Sequence, residues 1–233
     1  MTLYIIVLVI SIALVLGAVW GLYGHFPKRI EGFVLAVSGG ALIVAVMLEL
    51  LQPAAKTASL WVVIPCFLTG SAVFVLIDMA IHRIGKGGKG GGLLAAVILD
   101  GVPENLALGV SLIGTGPGAA LSLAGSIFLS NLPEAAGGAR EMERNGLSKA
   151  KALGLWTATA AVLALTAIAG NFFLSNVAPF WLALIKSFAA GAVISSLATE
   201  VFPEAYEDDH RAAGVAISIG LAIAFVLHTV GQG

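Results

Sequence analysis

Charge and cysteine are both scarce in this chain. Of 233 residues, 12 are Lys or Arg and 13 are Asp or Glu, so 11% are charged and the formal net charge is −1. An average soluble domain carries roughly a quarter charged residues. Here 59% of residues are hydrophobic and the mean hydropathy is +1.01. A folded body of this size cannot hide so much apolar surface from water, so part of its solvent is lipid. A soluble enzyme, a disordered chain and a disulfide scaffold are thereby excluded. The missing basic excess argues against a nucleic-acid partner. Cys66, the single cysteine, lies in an apolar run and reads as a small buried residue, with no disulfide or cysteine-based metal site possible within the chain. There is no H-E-x-x-H, no nucleophile elbow and no cofactor fingerprint, so nothing points to an enzyme. The glycine- and lysine-containing stretch 83–90 lacks phosphate-loop spacing, which leaves it a linker and argues against nucleotide-driven work.

What is present is apolar length. A bilayer core of about 30 Å takes about 20 apolar residues as a helix. Eight stretches fit: 3–24, 30–52, 60–82, 91–115, 118–140, 151–174, 180–204 and 212–230. The expectation is an all-α integral membrane protein with eight spans in one domain, and only short connectors between them. The first stretch has no Lys or Arg before it and is too long for a cleaved signal peptide.

Acids inside such spans are costly, about 2.5–3.5 kcal/mol for Asp on insertion scales, and mark ion paths or proton relays. Asp100 and Glu104 sit in the fourth span, Glu134 in the fifth, and Glu200 and Glu204 in the seventh; Glu49 and Asp78 lie near the ends of the second and third. Three places share the pattern polar-x-x-Pro-Glu: Asp100–Glu104, Ser130–Glu134 and Glu200–Glu204. Positions i and i+4 share a helix face, so each pattern stacks two oxygen-bearing side chains one turn apart. The proline has no N–H and strains the turn before it, which frees the carbonyls of Leu99, Leu129 and Thr199. In lipid those groups must find a partner or line a wet cavity. A carboxylate, a second oxygen and a free carbonyl at one bend make an oxygen-rich place for a cation. Asp100, Glu104 and Glu134 have no intramembrane Lys or Arg opposite them, so protons or a metal ion must neutralise them. Glu49 and Glu204, near span ends, read equally well as acids reaching the interface. His25, His82, His210 and His228 fall in connectors or near span ends, and 207–210 reads as a solvated loop or an acidic vestibule.

Eight spans with Pro-Glu motifs in the fourth and fifth resemble the ZIP (Zrt/Irt-like) family of divalent metal transporters. The family's fourth-span H-N-x-P-E-G-x-A-x-G is similar to Asp100–Gly109, its fifth-span H-N-x-P-E-G to Ser130–Ala135, and its seventh-span E-x-x-P-E to Glu200–Glu204. The family's closing L-L-x-P in the second span resembles Leu50-Leu51-Gln52-Pro53. The resemblance implies a ZIP-like bundle in the cell membrane, a homodimer, and a midplane site for a divalent ion (zinc, manganese, iron(II) or magnesium). It implies Asp100, Glu104, Asn131 and Glu134 as ligands, Ser130 and Asn105 as contributors, and Glu200 and Glu204 on the route to the cytoplasm. Asp100, Gly101 and Ser130 replace the family's usual histidine, asparagine and histidine, and the stretch 83–92 has no histidine-rich loop. A proton-coupled carrier or exporter, or a metal-sensing membrane protein that transports nothing, remain alternatives.

Sidedness follows from counting basic residues. With eight spans, one face holds Lys28, Arg29, Arg83, Lys86, Lys89, Arg140, Arg144, Lys149, Lys151 and Arg211, and the other only Lys56 and Lys186. The basic face is expected in the cytoplasm, with both termini outside. A cysteine placed at Gly88 should then need a membrane-permeable reagent for labelling, while one at Gly233 should react from outside. Identical labelling at the two positions overturns the eight-span arrangement.

Overall fold

The computed structural model describes residues 2–24, 27–84, 91–113, 121–208 and 211–231. Among these the only regular structure is helical: α1 (Thr2–Tyr23), α2 (Lys28–Thr57), α3 (Leu60–Ile84), α4 (Gly91–Ser111), α5 (Leu121–Arg144), α6 (Lys149–Leu174), α7 (Pro179–Asp208) and α8 (Ala213–Gly231). Six of them, α1, α2, α3, α6, α7 and α8, are long and apolar enough to cross a membrane, as a helical membrane protein requires. His25, Asp209, His210, Lys86, Lys89 and the labelling positions Gly88 and Gly233 lie outside the described residues.

Local chemistry explains several boundaries. Pro179 opens α7, where its missing N–H costs nothing. Gly146, at φ +90°, closes α5: its N–H donates to the Glu143 carbonyl and that of Leu147 to Met142, at 2.9 and 3.0 Å. These are the paired bonds of a Schellman end, which needs a residue free to enter the left-handed region. Ser148 then caps α6 by accepting from the Lys151 N–H.

The rods outrun the apolar stretches at functional ends. α2 continues to Thr57 rather than residue 52, α7 to Asp208 rather than 204, and α5 to Arg144 rather than 140. Arg140, the last residue of the fifth apolar stretch and one of the basic residues counted to one face, therefore sits inside a helix. Its guanidinium, half-buried, finds a buried carboxylate there.

Two rods carry a π segment: Val46–Leu51 in α2 and Leu197–Val201 in α7. A proline stands two residues past each, Pro53 and Pro203. Proline cannot donate to the carbonyl four residues back, and the ladder widens there, with Gln52 N–H donating to Met47 and Phe202 N–H to Leu197. Each π segment holds one acid, Glu49 or Glu200. Pro103 and Pro133, by contrast, lie inside α4 and α5 with the helix running through them.

The rods pack in a repeated scheme. α1 lies on α5 and α6 on α4; α2 lies on α8 and α7 on α3; α2 also meets α5, as α7 meets α4. Exchanging α1 with α6, α2 with α7, α3 with α8 and α4 with α5 reproduces every one of these pairs. Glycines bring the paired backbones together. A Cβ at Gly40 would fall on the Ile217 carbonyl, one at Gly220 on Val37, one at Gly191 on Phe67 and one at Gly70 on Phe188. Small residues of this kind let membrane helices approach closely where no hydrophobic force between them operates.

These crossings set a stability test. Gly191→Ala forces α3 and α7 apart and should lower the melting temperature in detergent, with Gly191→Leu worse, on the scale of overpacking at about 1–3 kcal/mol. Gly154 on α6 has nothing within 4 Å of an added Cβ, so Gly154→Ala should leave stability equal or raise it through helix propensity.

Candidate cation pathway

The acids singled out by their spacing lie on three rods, α4, α5 and α7, and the structure gathers most of them. Asp100 and Glu104 on α4 are 6% and 4% exposed. Asn105, Ser130 and Asn131 are also buried, Glu134 and Glu200 are half-buried, and Glu204 is exposed, as its place near the rod's end implies. Glu104 lies close enough to Asp100 and Glu200 to be repelled by them, and Glu134 feels Asp100, Glu104, Glu200 and Glu204. Like charges in a medium of low dielectric repel far more strongly than in water.

A cavity of about 420 Å³ runs beside these groups. It is lined by Asp100, Ser130 and Glu134 at its inner end, by Glu200 and Glu204 along α7, and by Lys28, Arg144 and Asp208 at the helix ends. From Ser130 to Arg144 along α5 is about 21 Å at the α-helical rise. Three basic side chains, Lys28, Arg140 and Arg144, face eight carboxylates in this lining. The passage is therefore strongly anionic, and a low-dielectric wall concentrates such a field on mobile cations.

Five of the eight residues named from sequence line the cavity; Glu104, Asn105 and Asn131 do not. Asn105 spends its amide on its own helix, donating to the Gly101 carbonyl at 2.9 Å. Asn131 donates at 3.5 Å to the Ile10 carbonyl of α1, and Ser130 to Ile127 at 3.1 Å. Among the described residues, no three His, Cys, Asp or Glu side chains converge closely enough to hold one ion. A metal on this path would need the carboxylates to draw together around it, replacing mutual repulsion with coordination.

Sequence reasoning missed two members of this region. Glu31 on α2, 3% exposed, accepts from the Arg140 guanidinium at 3.1 Å and so ties α2 to α5 across the cavity. An added Cβ on Gly137 would lie 2.5 Å from the other Glu31 oxygen, so a larger residue there would make this carboxyl shift. Beside it Lys28 pairs with Asp208 at 3.2 Å. Nothing in the sequence links residues 31 and 140. The second omission is Ser196, fully buried on α7, whose hydroxyl donates to Asp100. Here a signal existed, because Ser196 and Glu200 have the same i, i+4 spacing as the Pro-Glu patterns.

No protein-family model matches this sequence, and no curated protein matches it.

Proposed function

We propose that the chain transports divalent metal cations across the cell membrane, as an eight-helix bundle of the ZIP type with both termini outside and a homodimeric assembly. The observation that carries this reading is the cavity in which eight carboxylates face three basic groups and which begins at Asp100 and Glu134. A cation sheds water onto Asp100, Glu104, Asn131 and Glu134, with Ser130 and Asn105 close by. It then passes Glu200 and Glu204 to the acidic helix ends. Movement of one helix group against the other, along the glycine crossings, exposes the ion to each side in turn.

One observation favours a second reading. Because no three of the described carboxylates converge, the same acids serve equally as a chain of proton carriers in a proton-coupled carrier. Flux into proteoliposomes separates the two: saturable metal uptake supports the first, and proton flux without metal the second. Under the metal reading, Glu104→Ala and Glu134→Ala each abolish saturable uptake, and Glu204→Ala, at an exposed position, is milder. Unchanged uptake in both of the first two removes the proposed site.

The ligand chemistry predicts the cargo's breadth. Asp100, Glu104, Asn131 and Glu134 offer oxygen only, which suits harder ions than an imidazole-bearing site does. Competition uptake should show manganese, iron(II) and zinc competing with one another, and Asp100→His should shift preference toward zinc. Transport of zinc alone, uncontested by manganese or iron(II), defeats the argument from ligand hardness.

A further inference from the structure

The end of the bundle opposite the cavity holds a second polar group that the pathway does not use. Glu49 lies 18 residues along α2 from Glu31, about 27 Å at the helical rise, and it is 5% exposed. Its Oε1 accepts from the Ser122 hydroxyl and, at 3.4 Å, from the Leu123 N–H in the first turn of α5. Its Oε2 is buried without a hydrogen-bond partner. A buried acid oxygen left without a partner is costly, and a water or an ion is among the few things that satisfy it. His228 near the end of α8 places Nδ1 4.0 Å from Oε1, with its side chain 13% exposed. That is too long for a hydrogen bond. An ion held at about 2.0–2.2 Å by each group at the tetrahedral angle sets them about 3.3–3.6 Å apart, so a small closing of the two side chains admits one.

Exchanging the two halves carries α2 onto α7 and α5 onto α4. The Glu49–Ser122 contact between α2 and α5 and the Asp100–Ser196 contact between α4 and α7 thus join exchanged pairs of helices, though at different heights. Both contacts lie at or beside a π segment. One faces the anionic cavity, and the other sits at the far end beside the imidazole.

We infer that Glu49 and His228 form a second site for a divalent transition-metal ion, binding it through one carboxylate and one imidazole with water completing the shell. As a loading step it rests on the metal-transport reading above; as a binding site it is tested apart from it. Two protein ligands make a weak, exchangeable site, which is what a place of first capture needs. Lys186 on α7 is close enough to attract Glu49 and competes with the ion for it.

Zinc titration of the purified full-length protein in detergent, followed by calorimetry, tests the inference. The parent should bind zinc in two classes of site. Glu49→Gln and His228→Gln should each weaken one class by about tenfold or more, the range for disturbing a metal site. A Glu104→Gln, Glu134→Gln double variant should remove only the other class. Lys186→Gln should tighten the class that depends on Glu49. Glu49→Gln keeps an acceptor for Ser122 and Leu123; if it nonetheless fails to fold, His228→Gln decides alone. Folded Glu49→Gln or His228→Gln protein that binds zinc like the parent overturns the inference, as does weaker binding in Lys186→Gln. Retention of the Glu49-dependent class by protein that shows no metal flux would instead remove the transport reading and leave this site standing.

Discussion

Carboxylates enclosed in an apolar bundle set the terms for the rest of this structure. Moving one ionised acid out of water costs several kcal/mol unless a partner or a proton offsets it. Here the acids outnumber the basic groups around one cavity, and one of the few basic groups, Arg140, is already engaged by Glu31. The arrangement is stable only with a cationic visitor, a bound proton, or water admitted from the helix ends. Each of those ties the energetics of the acids to what occupies the cavity.

The glycine crossings follow from the same constraint. Helices immersed in lipid gain nothing from hydrophobic attraction to one another, so their hold must come from close fit. The pairs α2–α8 and α3–α7 achieve it where a carbonyl of one helix occupies the space a side chain would need on the other. The inner helices are held as closely: Gly17 and Gly21 of α1 meet the Leu132 and Ala136 carbonyls of α5, and Gly109 of α4 meets the Ala167 carbonyl of α6. Polar contacts, Asp100 to Ser196 and Glu49 to Ser122, join these pairs to α7 and α2. Close pairs joined by polar links suit a body in which one part shifts against another.

Much of this was legible in the sequence because it depends on local pattern. Apolar length gives the helices, since a run of about 20 apolar residues has few other homes. The i, i+4 spacing of Asp100 with Glu104 and of Ser130 with Glu134 puts each pair on one helical face before any tertiary contact is known. What was not legible depends on pairing over long separations. Arg140 reads only as a basic residue at a span end, because the fold alone supplies Glu31, 109 positions away, as its partner. Glu49 looked like an acid near the interface, because Ser122 and His228 come from other helices. The convergence of ligands was the least legible part: spacing aligns donors on a single helix but does not set the distance between helices, and the amides of Asn105 and Asn131 turn to backbone carbonyls instead.

The π segments carry an evolutionary consequence. A π turn holds one residue more than the α-helical path requires, so it is a tolerated insertion. Deleting one residue from Leu197–Val201 would let α7 close into an unbroken α-helix, and Glu204 and Asp208 would keep their place on the cavity. Deleting one from the α-helical part of α7 just before it would instead turn everything downstream by about 100°, the angle per residue of a 3.6-residue turn. A homologue one residue shorter within the π segment would therefore keep the acidic exit, and one shortened just before that segment would lose it.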